Sequence, residues 1–582
     1  MRRTPLVPFA LASLVAAAVL ALAACGGGGD ETTDPQAGQT SSALSTGGAA
    51  TFSLTLEKIG GTTAGGEAGA EINAYDARTG RLFVTDGAHG GVNVFDPSGV
   101  TDPSIPAAPA AFISVADIGA TVNSVAVHDG LVAVAVEASP KTAPGRVAFY
   151  RADTLERLAV VTVGAQPDML VFTHDGRRVL VANEGEPDGY GQPGSVDPEG
   201  SVSIIDVNRH GSTLAPTVRT AGFAEFNGQV DALRARGVRI YGPGATVAQD
   251  LEPEYIALDP NGRLAYVVLQ ENNAVATVDI ARAKVLGIQP LGLKDHGLPG
   301  QGLDPSDEDG GTDTNSGTPV VKIGNWPVTA LYLPDSTAAY RARGQTWLVT
   351  ANEGDAREWT GFEEEVRIRA YCDKGLDPAV FPGATGDASD PLLKDSNLGR
   401  LRITLAPNGN DNGKNAAGQC NKLWSYGGRS FSIWRAADMK RVFDSGEDFE
   451  RITAAIAAEV GAPFKFNSGH DNDTLDSRSA AKGPEPEALA VGEIGGRTFA
   501  FIGLERVGGI MVYDISDPFN ARFETYINTR NGETGDLGPE GLSFVPAHRS
   551  PTGQPLVIVS HEISGTTAVY RVVPSGRGGA PR

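Results

Sequence analysis

Glutamate closes one apolar run after another in this sequence: Glu137, Glu184, Glu271, Glu353, Glu505 and Glu562 each end such a run. Two of them stand in near-identical phrases, VANEGEPD from Val181 and TANEGDAR from Thr350. A second set, Asp168, Glu254, Glu487 and Glu540, stands just ahead of the preceding run. If the runs are equivalent strands of a repeat, each set falls on one ring, and negative charge gathers at one end of the fold. Like charges held close together in a low dielectric repel strongly. Such a cluster either keeps protons on raised pKa values or holds cations. The donors are all hard oxygens, with Asn183, Asn272 and Asn352 beside them. That set suits Ca²⁺ first, and Mg²⁺ or Mn²⁺ next, better than Zn²⁺. The expected ligands are Glu184, Glu254, Glu271, Glu353, Glu487, Glu505, Glu540 and Glu562. A strand-end glutamate can also accept backbone N–H groups with no metal present, and that alternative stands for each of them.

The densest chemistry lies in Phe466–Val491, FNSGHDNDTLDSRSAAKGPEPEALAV. Asp471, Asp473, Asp476, Glu485 and Glu487 crowd Arg478 and Lys482, with His470 nearby. Cations beside metal-binding carboxylates suit a phosphorylated substrate: guanidinium and metal neutralise the phosphoryl oxygens while the metal activates water. Arg478 and Lys482 are therefore the expected phosphate contacts. His561, next to Glu562, is a candidate ligand or proton carrier. The plainer alternatives are that both cations balance the surrounding acids and that His561, like His470 and His174, is simply hydrogen-bonded. Ser468 and Ser479 lie outside any GxSxG phrase, so neither is taken as a nucleophile.

The element that places these residues is a repeat of short apolar strands and turns. Successive copies start at Glu71, Asn123, Asp168, Glu254, Val328, Glu487 and Glu540. Each is a small meander, apolar on both faces, whose third strand commonly ends in Asp. Seven such units predict an all-β, seven-bladed β-propeller with short helical and loop insertions. Thr51–Ile59 has no meander of its own and is expected to close the ring as the outer strand of the last unit, which removes the free sheet edge. In the fifth unit, Val328–Tyr332 is read as the strand paired with Thr346–Glu353. Phe223–Arg236 and Glu447–Val460 have helical spacing, the latter with Ser445 as N-cap and Gly461 past its end. Leu303–Asn315 is acidic but lacks EF-hand spacing and reads as a solvated loop.

Composition agrees with a turn-rich β fold: 582 residues carry 74 Gly and 37 Pro, with 41% hydrophobic residues. The net charge of -22 argues against nucleic acid and anionic membrane surfaces as partners. Arg2 and Arg3, the apolar run Leu6–Leu22 and the phrase Leu22-Ala23-Ala24-Cys25 form a lipoprotein-type signal, residues 1–24, with Cys25 as the lipidated residue. Residues 25–49 read as a flexible tether, 50–575 as one propeller domain and 576–582 as a disordered tail. Cys372 and Cys420 are the remaining pair, and in an exported chain they are expected to form a disulfide. The expected location is the bacterial cell envelope, with membrane contact only through the lipid. The expected state is a monomer.

The phrases DLEPEYIAL (250–258), NWPVTALY (325–332), TANEGDAREW (350–359), VFDSGEDFERITA (442–454), FNSGHDNDTLDSRS with KGPEPE (466–487) and GDLGPEGLSFV (535–545) resemble the choice-of-anchor I family. These are exported bacterial β-propeller proteins with varied surface anchors. Many are described as alkaline phosphatase-like, and they are similar to the animal mesenchyme-specific cell surface glycoprotein. A fainter likeness runs to esterase-like phytases and calcium-dependent phosphatases, propellers with metal-binding carboxylates. The resemblance implies the fold, a divalent-metal-dependent phosphoric ester hydrolase, and a small phosphorylated substrate. The alternative is a calcium-stabilised propeller that binds a protein or glycan at the cell surface. The sequence departs from the family pattern at Ala480-Ala481, where a polar or acidic pair is expected after DSRS.

Overall fold

The computed structural model describes residues 53–96, 107–211, 213–310, 318–461 and 464–575. Cys25, the leader before it, the tether 25–49 and the tail 576–582 lie outside the described residues. Seven four-stranded antiparallel sheets follow one another along the chain. Their first strands are Asn73–Asp76, Thr121–His128, Pro167–Phe172, Pro253–Leu258, Thr337–Ala342, Pro486–Ile494 and Pro539–Val545. Each first strand packs against the first strand of the next sheet, and the seventh packs against the first. The sheets are thus blades around one central channel. The outer strand of the seventh blade is Ser53–Thr63, paired with Thr566–Ser575 so that Ser53 faces Ser575 and Thr63 faces Thr566. The strand expected to close the ring does so.

Why the strands are apolar on both faces is visible in Leu131–Glu137 of the second blade. Successive side chains point to opposite faces. Val132, Val134 and Val136 pack with Phe83, Val92 and Val94 of the first blade. Leu131, Ala133 and Ala135 pack with Val179, Val181 and Ile205 of the third. Each buried valine contributes about 1.5–3 kcal/mol. A polar residue on either face would break a blade-to-blade seam.

The fifth blade departs from the expectation. Its first strand is Thr337–Ala342, paired with Gln345–Asn352. Thr329–Leu331, from the run read as that strand, instead joins a separate five-stranded sheet with Leu293–Asp295, Trp424–Ser425, Arg402–Thr404 and Glu365–Arg367. The hairpin turns on Arg343 and Gly344, both at left-handed φ (50° and 76°). That is the two-residue turn that suits strand twist, formed here without the usual Asn-Gly. The third strand, Ser430–Arg435, comes only after a long insertion. Within it the expected Cys372–Cys420 disulfide is formed, buried among Ile368, Leu376, Leu398, Leu401 and Leu423.

Two further expectations are corrected. In the helix Asp448–Val460 the N-cap position is Glu447, not Ser445, with no side-chain cap hydrogen bond, and the acidic first turn (Asp448, Glu450) suits the positive end of the helix dipole. Phe449, Ile452 and Ile456 are buried against the fifth and sixth blades, while Val460 is exposed. The Leu303–Gly310 segment is not a solvated loop, because Asp304 and Asp309 are buried. The Phe223–Arg236 stretch forms a 3₁₀ turn, Ala224–Gln229, leading into the helix Val230–Arg236. Among the described residues no helix is long and apolar enough to cross a membrane.

Candidate metal centre in the channel mouth

Four blades carry a carboxylate at the start of the first strand by the same local device, and three of these carboxylates line the channel cavity. Their first strands begin Pro167-Asp168, Pro253-Glu254, Pro486-Glu487 and Pro539-Glu540. Proline has no N–H to donate and suits the first position of a strand. In all four the pairing register slips immediately after the proline. A bulge leaves its extra residue outside the ladder and free to be aimed elsewhere. In the second blade the slip falls between Val122 and Ser124, which makes Asn123 the equivalent residue. The residue before the proline is held at left-handed φ in three cases: Gln166 (47°), Glu485 (52°) and Gly538 (69°). Its carbonyl accepts the backbone N–H of Glu184, Glu505 and Glu562 respectively. The two recurring sets of carboxylates are therefore tied to each other through the backbone.

Six carboxylates, Glu71, Asp168, Asp335, Glu487, Glu540 and Glu562, line one cavity of ≈ 840 Å³ at the channel mouth. Asn123, Ser124 and Tyr255 lie among them, and no Lys, Arg or His lines it among the described residues. Burial, then Glu540 and Glu562, pushes the Glu71 carboxyl up to about 9. Burial, then Glu186 and Glu137, raises Asp168 to about 7. Burial, then Glu562, raises Glu540 to about 7, although a hydrogen bond with Glu487 works against the rise. Asp335, Glu487 and Glu254 are likewise raised by burial and their carboxylate neighbours. Glu487 Oε2 is buried without a hydrogen-bond partner. Hard oxygen donors, an orphaned carboxylate oxygen and no internal counter-charge fit a divalent cation. Glu71, Asp168, Asp335, Glu487, Glu540 and Glu562 would surround it, and it would supply the missing positive charge; no three of them bring oxygens within 4.8 Å of one another, so only part of its coordination would come from these side chains.

A second group of carboxylates, around Glu485, behaves differently. Glu353, Glu485 and Glu505 bring carboxylate oxygens within 4.8 Å of one another, yet three cations sit among them. Arg478 donates to Glu485 through Nε at 2.9 Å and Nη2 at 2.6 Å. Lys482 Nζ lies 3.1 Å from Glu353, 2.8 Å from Asp355 and 3.6 Å from Glu485. Arg506 Nε lies 3.2 Å from Glu485 and 3.0 Å from Glu505. Burial alone would raise the Glu485 carboxyl; Arg478, Lys482 and Arg506 overturn it and hold it at about 2. His470 is also drawn in: burial, then Arg506, lowers it to about 4, and neutral Nε2 accepts from Arg506 at 2.7 Å.

Of the expected ligands, Glu487, Glu540 and Glu562 meet in the cavity. Glu184 couples to it through Asp168 and also accepts from Gln166; beyond burial, Glu254 is influenced first by Glu271 and then by Asp335 of the cavity. Glu353 and Glu505 belong to the cluster that holds Lys482 and Arg506, although burial still raises both carboxyls. Glu271, with Arg478 and Lys482, lines a separate pocket of ≈ 280 Å³ together with Arg357 and Arg402. His561 lines neither space; it is buried, which lowers its pKa, and sits by Asp536, which Lys58 engages at 2.5 Å. Ala480 and Ala481 bond only through the backbone: their carbonyls accept from the Arg402 N–H and from Arg429, and the Ala481 N–H donates to the Arg478 carbonyl. The sequence reading missed Glu71, Asp335, Glu485 and Arg506 as site residues. Glu71 and Asp335 each stand two residues ahead of a first strand, so the position was readable. Asp335 was hidden by the misplaced fifth-blade strand.

The choice-of-anchor I domain matches residues 71–518, most of the 582-residue chain. The chain belongs to the choice-of-anchor I family. The family sets it among cell-surface or envelope proteins. It is 33% identical over 194 residues to gigasin-3a of Magallana gigas, covering 31% of this chain and 66% of that one. It is 28% identical over 338 residues to the mesenchyme-specific cell surface glycoprotein of Strongylocentrotus purpuratus, covering 52% and 41%. The matches thus span just under two thirds of the first relative's length and less than half of the second's. Among solved structures, the WD40 domain of Toxoplasma gondii coronin aligns over 90% of this chain and 87% of its own at 8% identity, with a TM-score of 0.41. The Cps50 (Swd1) β-propeller domain of Myceliophteria thermophila aligns over 89% and 100% at 6% identity, with a TM-score of 0.40.

Proposed function

We propose that this choice-of-anchor I protein is a surface-binding propeller whose channel mouth holds a divalent cation, Ca²⁺ by the chemistry of its donors. The observation that supports this reading is the cavity lined by six carboxylates and no cationic side chain. With the cation in place, that end of the ring would attract a protein or glycan ligand that brings oxygen donors of its own. Cys25 as a lipid attachment site in a bacterial envelope belongs to the same reading, and places the propeller at the end of a tether. The test is a Ca²⁺ titration of EDTA-treated protein beside the double variant Glu487→Gln/Glu540→Gln. Loss of Ca²⁺ uptake in the double variant is expected; unchanged uptake would sink the reading.

Hydrolysis of phosphate esters is the second reading. One observation favours it: Arg402, Arg478 and Lys482 line the smaller pocket together with Glu271 and Asp355. Binding ranks first because Arg478 and Lys482 are already held by Glu485, Glu353 and Asp355. Turnover of an aryl phosphate that EDTA abolishes and added Ca²⁺, Mg²⁺ or Mn²⁺ restores would reverse that order.

A further inference from the structure

We infer that Asp304, Asp309 and Asp476 hold a second divalent cation, Ca²⁺, outside the channel, fastening the Leu303–Gly310 segment to the turn Phe466–Ser479. The three side chains each offer an oxygen, and these oxygens lie within 4.8 Å of one another. Ca²⁺ takes oxygen ligands at about 2.3–2.6 Å, so oxygens sharing one ion lie no more than about 5 Å apart. All three residues are buried, with 0%, 8% and 0% of their surface exposed. None of the three makes an ion pair with Lys or Arg among the described residues.

The guanidinium that bridges the two segments is already engaged. Arg429 reaches Glu450 at 2.7 Å and the Asp304 carbonyl at 2.8 Å, and its other nitrogen donates to the carbonyls of Ser479 (2.7 Å) and Ala481 (2.9 Å). It neutralises Glu450, while the three aspartates are met by backbone N–H groups of Ser306, Lys322 and Val320, by the Ser479 hydroxyl and by the charge of Lys322 near Asp309, with no ion pair of their own among the described residues. Buried carboxylates without a counter-charge are strongly unfavourable.

A separate observation points to a ligand. Asp309 Oδ2, Asp476 Oδ2 and the neutral Asn467 Oδ1 are buried with no hydrogen-bond partner. Asn467 is 0% exposed. Its Nδ2 donates to Ser479 Oγ at 2.8 Å, and that hydroxyl donates to Asp476 Oδ1, so the carboxamide is held against the aspartate. Orphaned oxygens closed to solvent cost free energy. A bare cation is small enough to satisfy them where water has no access. Burial, then Glu450, raises Asp304 to about 8, and burial, then Asp304, raises Asp476 to about 9, as expected of acids short of positive charge.

The test uses the EDTA-treated full chain, titrated with Ca²⁺ by calorimetry and melted with and without Ca²⁺. Asp309→Asn and Asp476→Asn are compared with the parent and with the channel variant Glu487→Gln/Glu540→Gln. Each aspartate variant is expected to bind one Ca²⁺ fewer than the parent and to lose part of the Ca²⁺-dependent rise in Tm. The channel variant is expected to keep this site, so its failure and the failure of the channel reading give different results. Equal stoichiometry and equal melting shift in the parent and the folded aspartate variants overturn the inference. So does a parent whose entire Ca²⁺ uptake disappears in the channel variant. Asp309→Asn, at the less enclosed position, provides the reading if Asp476→Asn does not fold.

Discussion

Glu485 and Glu540 lie on neighbouring blades, and burial pushes both carboxyls upward, yet one is held at about 2 and the other is raised to about 7. Burial does not separate them; counter-charge does. Glu485 sits among Arg478, Lys482 and Arg506, whereas Glu540 faces Glu562 across a cavity without a cationic side chain. The lesson concerns where a ligand is needed. The turn that carries Arg478, Lys482 and Glu485 lies in the densest charge of the sequence, yet these three pair with one another, while Glu487, two residues further on, lines the cavity. The ring assembled from distant, unremarkable positions is the part that lacks a partner.

The comparison breaks most sharply if the two glutamates respond alike to losing their charge. Glu485→Gln leaves Arg478 without its carboxylate and takes one partner each from Lys482 and Arg506, and the arginines cannot shed a proton. Breaking a buried ion pair from one side costs about 3–5 kcal/mol, and that loss is expected in urea denaturation at pH 7. Glu540→Gln in EDTA removes a repulsion, and is expected to leave stability unchanged or raise it by about 1 kcal/mol. Equal losses in the two variants would show that packing, not charge, governs both places.

A smaller effect is the dependence on pH, where the two regions pull in opposite directions. Glu540 binds its proton more tightly in the folded protein, at about 7 against the usual 4.5. Between those values the native state holds the proton and the unfolded chain does not, so stability falls as pH rises through the window. Glu71, at about 9, extends the fall upward. For Glu485 the order is reversed, and its contribution is lost as pH drops from 4.5 towards about 2. Stability in EDTA is therefore expected to peak near pH 5, and Glu540 alone is expected to lower it by about 2–3 kcal/mol by pH 7. Saturating Ca²⁺ should flatten the alkaline side. An alkaline decline of the same size with Ca²⁺ present would separate the raised carboxyls from any cation.

Much of the ring was legible because its signals are local and repeated. Alternating apolar strands with turn residues mark every blade, and Ser53–Thr63 stood out as a strand without a hairpin. In the fifth blade the second strand was legible, but the first and third were not. Arg343-Gly344 is a weak turn signal, and the third strand is separated from the second by an insertion with its own sheet and disulfide. Which acids would be neutralised was not legible either. Glu353 and Glu184 share the phrase ANEG, yet Glu353 meets Lys482 from the sixth-blade approach, while Glu184 meets Gln166. Pairing of that kind depends on what the fold brings across from another blade. Asp304 and Asp476 are far apart in sequence for the same reason, and a run of acids read alone suggests solvent rather than burial.

The smallest effect is expected when the neutralised cluster is made to resemble the channel. Lys482→Met takes away the cation between Glu353 and Asp355 while keeping a side chain of similar length. Unlike an orphaned arginine, an orphaned carboxylate has an escape: it takes up a proton. Burial already raises the Glu353 carboxyl, with Lys482 the main opposing influence. Losing that influence should let Glu353 protonate near neutral pH, and the cost at pH 7 should be about 1–2 kcal/mol, below that of Glu485→Gln. Above pH 8 the escape closes, and the variant should gain a Ca²⁺-dependent rise in Tm that the parent cluster lacks. The double variant Lys482→Met/Glu353→Gln should lose that new Ca²⁺ response and recover part of the stability. If Lys482→Met instead costs as much as Glu485→Gln at every pH, the ease of protonating a buried acid is not what distinguishes the two halves of the carboxylate ring.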